Sequence, residues 1–234
     1  MMDSRRFGVS EVKAFLTELP LFSNLKEAFI DAMSQAGMFI TVKKGQFLFL
    51  QSDPADKFYI LVTGAVSILL ECVDGREMVI NEMRSGDFFG ELGILTGKTR
   101  STSAVAHKNS DLLVFPKQAF LSILESEPLF ARRILDTVAQ RLRNSSQLES
   151  ALAFLDAQAR LARILLLLDE LAVEKGYVTI SQEELAQRTG LTRQTVAKTL
   201  GKWRRAGWVI TGRGHIMLLR HDELTKIDLE LPKI

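Results

Sequence analysis

Cysteine is almost absent from this chain, since Cys72 is the only one in 234 residues. A single cysteine excludes a disulfide framework within the chain and any all-cysteine iron–sulfur or zinc site. Cys72 falls in a predicted strand, so we expect a buried, small apolar side chain rather than a nucleophile. The three histidines, His107, His215 and His221, lack the spacing of metal ligands. The sequence therefore predicts a protein without a metal site.

Long apolar runs are missing as well. The longest candidate, Ile164–Leu168, is far shorter than the roughly 20 residues that a membrane helix needs. No apolar stretch follows the arginines near the amino terminus, as a secretory signal would require. No nucleophile–base set, catalytic carboxylate pair or P-loop is recognisable, which argues against an enzyme. We expect a cytoplasmic, non-catalytic protein, and its length favours two domains.

Charge is divided unequally along the chain. Residues 1–156 contain 17 Lys+Arg against 19 Asp+Glu, whereas residues 157–234 contain 13 against 9. Between Arg188 and Arg220 there are eight basic residues and no acidic one. Phosphate groups are attracted to such a surface, and the association depends on salt. The carboxyl-terminal part is therefore predicted to bind nucleic acid.

In the amino-terminal half, the spacing at which apolar residues recur changes once along the chain. From about Ser10 to Gly37 apolar residues recur at helical spacing, which predicts short helices. From Met38 to Phe115 the pattern becomes short β runs separated by turn residues, among them Asp74–Gly75. Strands at such regular intervals predict a small barrel or sandwich.

A long helical segment follows, from Pro128 to about Phe154, without internal Gly or Pro. Its length of about 27 residues corresponds to ~40 Å of helix. A stripe at alternating three- and four-residue steps favours a dimer helix, although a core helix of a single chain can show the same stripe. The stripe consists of Leu135, Val138, Leu142, Ser145, Glu149 and Leu152, and its Glu149 is unexplained. A second helix is predicted from about Ala157 to Lys175, followed by a strand at Tyr177–Ile180.

The stretch from Ser181 to Arg205 has the form of a helix-turn-helix. Ser181 with Glu184 three residues later is a capping-box helix start. Gly190 supplies the turn, and Thr192 caps the second helix. The two predicted helices are Gln182–Arg188 and Arg193–Arg205. A β-hairpin wing follows at 208–218, with Arg213 at its tip.

The second of these helices is predicted to read DNA. Val196 and Leu200 pack it inward, which leaves its amino-terminal outer face free. Arginine can bond two acceptors of guanine, glutamine suits adenine, and lysines suit phosphates. The predicted DNA contacts are Thr192, Arg193, Gln194, Thr195, Lys198, Lys202 and Arg213.

Three segments carry a resemblance to a known family. Residues 89–104, FGELGILTGKTRSTSA, resemble the phosphate-binding cassette of cyclic nucleotide-binding β barrels. Residues 192–196, TRQTV, resemble the start of a recognition helix, and residues 153–156, AFLD, resemble an interdomain hinge. Over nearly its whole length the chain resembles the Crp/Fnr family of bacterial regulators. The resemblance implies an α+β fold with a cyclic nucleotide-binding β-roll or barrel (1–127), a long dimerisation helix with its hinge (128–156) and a winged helix-turn-helix domain (157–234).

The resemblance also implies a ligand and partners. Arg100 would neutralise the cyclic phosphate and Glu91 would accept the ribose 2′-hydroxyl proton. Gly90 lets the backbone approach, and amides around Gly90 and Leu92 can donate to ligand oxygens. The implied partners are duplex DNA, a second copy of the chain and RNA polymerase, and the allosteric ligand is cyclic AMP.

The choice of base rests on other side chains. Ser145 and Ser146 stand where the family contacts the adenine amino group, and Ser101 can contact a guanine or the phosphate. Repacking of the dimer helix by the ligand, with a hinge at about Phe154–Asp156, would then reorient the recognition helices. The implied ligand contacts are Gly90, Glu91, Leu92, Arg100, Ser101, Thr102, Ser145 and Ser146.

Several alternatives stay open at this point. Cyclic GMP, a cyclic dinucleotide or ligand-independent DNA binding would suit the same fold, and Glu91 and Arg100 could instead form a surface ion pair. An iron–sulfur sensor would need a cysteine cluster, and a haem sensor an axial ligand. A structural DNA-packaging protein would need neither base-reading residues nor a cassette. Gln194 replaces the glutamate of many relatives, so a different operator is expected.

Overall fold

The computed structural model describes residues 8–72 and 77–229 of the chain. The predicted turn at Asp74–Gly75 lies outside the described residues, as does the amino-terminal stretch 1–7. The chain divides into two compact units. Among the described residues, the first unit comprises 8–72 and 79–142, and the second comprises 77–78 and 143–229.

The first unit combines two leading helices, a set of short strands and further helices, as the change of period predicts. A single 3₁₀ turn, Pro20–Phe22, joins the leading helices. The helices are α1 (Val9–Glu18), α2 (Glu27–Ala36), α3 (Glu91–Thr96) and α4 (Lys117–Ser126). The strands are β1 (Met38–Val42), β2 (Phe47–Phe49), β3 (Lys57–Thr63), β4 (Val66–Glu71), β5 (Glu77–Met83), β6 (Phe88–Phe89), β7 (Ser103–Ala106) and β8 (Ser110–Pro116).

The strands form two four-stranded sheets, ordered β1-β8-β3-β6 and β2-β7-β4-β5. Strands β1 and β8, β3 and β8, and β4 and β7 pair antiparallel, and Phe58 of β3 lies opposite Phe115 of β8. Apolar side chains, among them Val42, Leu61 and Leu112, are completely buried between the sheets. The predicted β-roll is therefore confirmed.

A second apolar core joins the helices to one sheet. Phe58 of β3 stacks on Phe120 of α4 with ring centroids 4.4 Å apart. Phe130 lies 5.5 Å from Phe22, and both are fully buried. Phe130 belongs to the first turn of the next helix, so this aromatic cluster anchors the start of that helix to the first unit.

The long helix α5 spans Pro128–Phe154, as predicted. Val138 of the predicted stripe packs against the core of the first unit. Leu135 and Leu142 are instead 67% and 68% exposed. The Ser145 hydroxyl lies 3.4 Å from a carboxylate oxygen of Glu149, one helical turn later. Glu149 thus has a polar partner on its own helix, which the sequence pattern did not reveal.

The second unit contains the carboxyl-terminal part of α5 and a compact α/β arrangement. Its elements are α6 (Ala157–Glu170), β9 (Tyr177–Val178), α7 (Gln182–Thr189), α8 (Arg193–Arg205), β10 (Val209–Gly212), β11 (His215–Leu218) and α9 (His221–Leu229). The strands form one sheet ordered β10-β11-β9. The predicted helix-turn-helix and wing are both present.

Helix α6 is shorter than predicted: it ends at Glu170, whereas the sequence pattern predicts an end at about Lys175. Leu171 and Val173 have nothing to pack against and are 60% and 107% exposed, so helix formation beyond Glu170 gains no burial. The Lys175 ammonium donates to the carbonyl oxygens of Asp169 and Glu170, which satisfies helix-end acceptors. The following strand is also shorter than predicted, because β9 pairs with β11 only through Tyr177 and Val178.

The helix-turn-helix begins and turns as its sequence predicts. The Ser181 hydroxyl accepts from the Glu184 amide at 3.1 Å, and the Glu184 carboxylate accepts from the Ser181 amide at 2.8 Å. Gly190 ends α7 with φ at +64°, a conformation that glycine adopts without strain. Val196 and Trp203 of α8 are fully buried in the core of this unit. The outer face of α8 is therefore held away from the core.

The prediction of a buried Cys72 is wrong, since its thiol is exposed. Cys72 follows the last residue of β4, and the pairing of β4 with β7 ends earlier, at Leu69 and Ser103. The chain has therefore left the sheet before it reaches the cysteine.

Within the part of the chain that the structure describes, no helix has the length and apolar character needed to cross a membrane.

Candidate functional site

The cassette turns sharply between β6 and α3. Gly90, which precedes α3, has φ at +82°. A Cβ atom placed there would lie 2.9 Å from a terminal nitrogen of Arg100 and 3.2 Å from the Lys57 carbonyl oxygen. The position therefore needs glycine both for its backbone conformation and for the close approach of its neighbours. Gly90, the N-cap residue of α3, has no side chain that could cap the first turn of this helix, so the turn can donate amides to a ligand oxygen.

Arg100 lies inside the barrel, only 3% exposed. Its Nη1 donates to the Gly90 carbonyl at 2.6 Å, and its Nη2 donates to the Lys57 carbonyl at 2.7 Å. The guanidinium carbon lies 4.3 Å from the centre of the Phe49 ring. Its Nε is buried and has no hydrogen-bond partner among residues 8–72 and 77–229. One donor of this buried cation is thus left unsatisfied, which is costly unless another group binds there.

The charge around Arg100 is only partly balanced. Burial lowers the pKa of Arg100, and the nearby Tyr59 and Asp56 act in the opposite direction. Arginine is effectively always protonated in proteins, so the side chain stays a cation. The nearest ion-pair partner is Asp56, whose oxygen lies 3.9 Å away and whose side chain is 65% exposed. Burial also raises the pKa of Tyr59, which keeps its hydroxyl neutral. The barrel interior therefore suits a small anion.

Glu91 is buried as well, and its carboxylate pairs with Arg141 of α5 at 2.7 Å. Arg141 also donates to the Phe88 carbonyl and lies over the Phe88 ring, 4.8 Å from its centre. A surface ion pair between Glu91 and Arg100 is therefore the wrong interpretation, because both residues are buried and Glu91 has a different partner. The pairing fixes the Glu91 side chain in position.

Arg141 was missed by the sequence analysis, as were Phe49 and Tyr59. A weak signal exists, since Arg141 precedes Ser145 by one helical turn and both point from the same helix face. The aromatic pair has no local signature, because β2 and β3 contribute one ring each and the fold alone brings them together.

The other predicted ligand residues fall into two groups. Leu92 and Ser101 are exposed and Thr102 is half-buried, and all three belong to the first unit beside Glu91 or Arg100 in the chain. Ser145 and Ser146 are exposed residues of α5 within the second unit.

The predicted DNA contacts lie on α8 and the wing of the second unit. The Thr192 hydroxyl accepts from the Thr195 amide at 3.1 Å, and the two hydroxyls are 2.9 Å apart. Thr195 is half-buried, so its hydroxyl helps to form the start of the helix. The Lys202 ammonium donates to the Gln158 side chain of α6 at 2.9 Å. The exposed members of the set are Thr192, Arg193, Gln194, Lys198, Lys202 and Arg213.

Two further cations extend this surface. Arg204 and Arg205 are exposed at the end of α8; both belong to the basic stretch between Arg188 and Arg220 but are not among the predicted DNA contacts. A helix with an exposed basic face beside a hairpin with an arginine at its tip is the surface that a winged helix-turn-helix presents to a phosphate backbone.

Family models match both halves of the chain. Residues 39–127 match the cyclic nucleotide-binding domain. Residues 159–227 match the Crp-like helix-turn-helix domain. The first match contains the whole cassette, and the second contains α7, α8 and the wing.

Similar proteins agree with these models. The CRP-like cAMP-activated global transcriptional regulator of Mycobacterium tuberculosis is 30% identical over 200 residues, which are 83% of this chain and 89% of the relative. The cAMP-activated global transcriptional regulator CRP of Pasteurella multocida is 30% identical over 154 residues, 63% of this chain and 74% of the relative.

Solved structures with the same fold include the c-di-GMP responsive global regulator CLP of Xanthomonas campestris. It is 25% identical, with a TM-score of 0.75, and the match covers 82% of this chain and 99% of that one. A putative transcriptional regulator of the Crp/Fnr family from Eubacterium rectale has a TM-score of 0.79 at 20% identity. The match covers 90% of this chain and 98% of that one, and it supports the fold.

The two domain matches, the relatives and the shared fold exclude an enzyme and fix the class of protein. The chain belongs to the Crp/Fnr family and is a ligand-responsive, DNA-binding transcriptional regulator with a cyclic nucleotide as its allosteric ligand.

Proposed function

We propose that the ligand is cyclic AMP and that it binds in the barrel between Arg100 and Glu91. The observation that carries this proposal is the buried Arg100, whose Nε has no partner and whose charge is poorly balanced. A cyclic phosphate has one negative charge and acceptor oxygens that suit this donor and the free amides of α3. Glu91, fixed by Arg141, accepts the ribose 2′-hydroxyl. Gly90, Leu92, Ser101 and Thr102 complete the cassette.

The choice of adenine rests on α5 and on the relatives. Ser145 and Ser146 are assigned to the adenine amino group by the resemblance to the family. The cAMP-activated regulators of Mycobacterium tuberculosis and Pasteurella multocida support the same base. A cyclic dinucleotide is the second candidate, because CLP, which has the same fold, responds to c-di-GMP. Binding of cyclic GMP would instead use a contact between Ser101 and the guanine.

The protein acts on DNA as a homodimer in this proposal. Leu135 and Leu142 of α5 are two-thirds exposed, which is unfavourable for a lone helix and expected of a coiled-coil seam. The assigned roles are ligand binding for residues 1–127, dimerisation for 128–156 and DNA binding for 157–234. Exposed Arg193 and Gln194 read bases, while Lys198, Lys202 and Arg213 contact phosphates. RNA polymerase is the proposed protein partner, in the cytoplasm.

The test is isothermal titration of nucleotide-free protein with four ligands. We expect micromolar binding of cyclic AMP and weaker binding of cyclic GMP. The 2′-deoxy analogue of cyclic AMP should bind about tenfold more weakly or worse, because it loses its hydrogen bond to the Glu91 side chain. Preferential binding of cyclic di-GMP would transfer the proposal to the second candidate. No heat with any nucleotide, from protein shown to be folded, would contradict a ligand in the barrel.

A further inference from the structure

The wing of the second unit ends in a turn with a glycine on each side of its arginine. Strands β10 and β11 close with Gly212 opposite His215, and Arg213 and Gly214 form the turn between them. Gly214 has φ at +77°, and a Cβ atom on it would meet nothing within 4 Å. Glycine loses more conformational freedom on ordering than any other residue, so an exposed turn of this composition does not fix itself. A restraint on the wing tip must therefore come from a side chain outside the turn.

The imidazole ring of His215 supplies such a restraint. It stacks on the ring of Tyr177, with centroids 5.1 Å apart and planes 18° from parallel. A Cβ atom placed on Gly212 would overlap the same imidazole ring, so the ring lies against the Gly212 backbone. Gly212 does not have a positive φ, so glycine is needed here for the space that the ring occupies. The ring thus connects its own strand β11 to β9 and β10, next to the turn.

We propose that His215 is a positioning residue, which fixes the wing tip so that Arg213 meets a phosphate of the DNA backbone. This inference rests on the proposed contact between Arg213 and a phosphate. A group that is held in its bound position before binding loses less conformational entropy when it binds. His215 is half-buried and one face of its ring is covered by Tyr177, so its contribution is packing rather than a contact of its own with DNA.

The first test is the affinity of the full chain for selected duplex DNA, measured by fluorescence anisotropy at fixed salt. His215→Ala should weaken binding about threefold or more, and about equally on all sequences, because the tip must then be ordered on binding. Gly212→Ala should do the same although it keeps the histidine, because the added methyl group displaces the ring. His215→Phe keeps the stack on Tyr177 and should bind DNA like the unchanged chain. Ile210→Ala, which shortens an exposed side chain of the same hairpin, is the matched control and should have no effect.

A double-mutant cycle separates positioning from a direct contact. Arg213→Gln removes the charge that is being positioned, so His215→Ala should cause no further loss of DNA affinity in that background. A residue with its own DNA contact would instead cause the same loss in both backgrounds, which would overturn the inference. A loss in His215→Phe equal to that in His215→Ala would also overturn it and show that the imidazole itself binds DNA. An equal loss in Ile210→Ala would show that any change in the hairpin has this effect, and would overturn it as well.

A second measurement needs no DNA. Amide ¹⁵N relaxation should show that residues 213 and 214 move more, on the ps–ns timescale, in His215→Ala and Gly212→Ala than in the unchanged chain. The amides of α8 should be unaffected, and the fluorescence of Trp203 and Trp208, which pack in the core of the second unit, checks folding. Equal DNA affinity of Arg213→Gln and the unchanged chain would contradict the proposed phosphate contact. Unchanged mobility of the tip in both variants would contradict the role of His215, whatever Arg213 binds.

Discussion

Replacement of Arg100 by alanine is expected to weaken cyclic AMP binding at least about tenfold. The variant loses a charge-assisted contact to the phosphate, typically about 1.5–3 kcal/mol for hydrogen bonds to charged groups. It also loses the hydrogen bonds that Arg100 donates to the carbonyls of Gly90 and Lys57, and these bonds hold the cassette turn in place. Isothermal titration of the two proteins under identical conditions measures the loss.

Two further variants separate the charge of Arg100 from its shape. Arg100→Lys keeps the charge but not the planar guanidinium group. Its affinity for cyclic AMP should therefore lie between that of the alanine variant and that of the unchanged chain. Lys98→Gln removes an exposed cation two residues away and should leave the affinity unchanged. Unchanged cyclic AMP affinity in folded Arg100→Ala protein would show that the buried guanidinium does not bind the phosphate.

The second large effect is expected at Arg193, the first residue of α8. Arg193→Ala should cost about 1–3 kcal/mol on DNA selected from a random pool, and should relax the base preference at one position. The reason is that arginine bonds two acceptors of a guanine in the major groove, and alanine cannot. Binding is measured by fluorescence anisotropy on the selected duplex and on single-base variants of it.

Lys198 provides the contrast to Arg193. As a phosphate contact, its replacement by glutamine should weaken binding about equally on all sequences and reduce the slope of log affinity against log salt by about one. Lys226→Gln is the matched control, because Lys226 is an exposed lysine of α9 that pairs with Glu223. A sequence-selective loss in the Lys198 variant, or a uniform loss in the Arg193 variant, would reverse these two assignments.

Local sequence signals account for most of the fold. Ser181 with Glu184, and Gly190, predict the helix-turn-helix because caps and turns depend on a few neighbouring residues. The end of α6 was misjudged, because nothing in the local pattern says whether Leu171 has a surface to pack against. Cys72 was misjudged for a similar reason, since the end of a strand depends on the length of its partner.

The candidate site is harder to predict from the sequence than the fold is. Gly90, Glu91 and Arg100 lie within eleven residues and are recognised together. Their surroundings come from distant segments, because Phe49 is on β2 and Arg141 is on α5, about fifty residues to either side. The partners of a buried charge are determined by the tertiary fold, so no local sequence motif predicts them.

The central claim is that a cyclic nucleotide in the barrel controls DNA binding by the second unit. The most direct measurement is the affinity of the chain for selected duplex DNA, with and without saturating cyclic AMP, at fixed salt. Allosteric coupling free energies are typically about 1–3 kcal/mol, so the two affinities should differ about fivefold or more. At a cyclic AMP concentration that just saturates the unchanged chain, Arg100→Ala should reduce that difference while the protein still binds DNA. Equal affinities with and without cyclic AMP, in protein that demonstrably binds the nucleotide, would contradict the account.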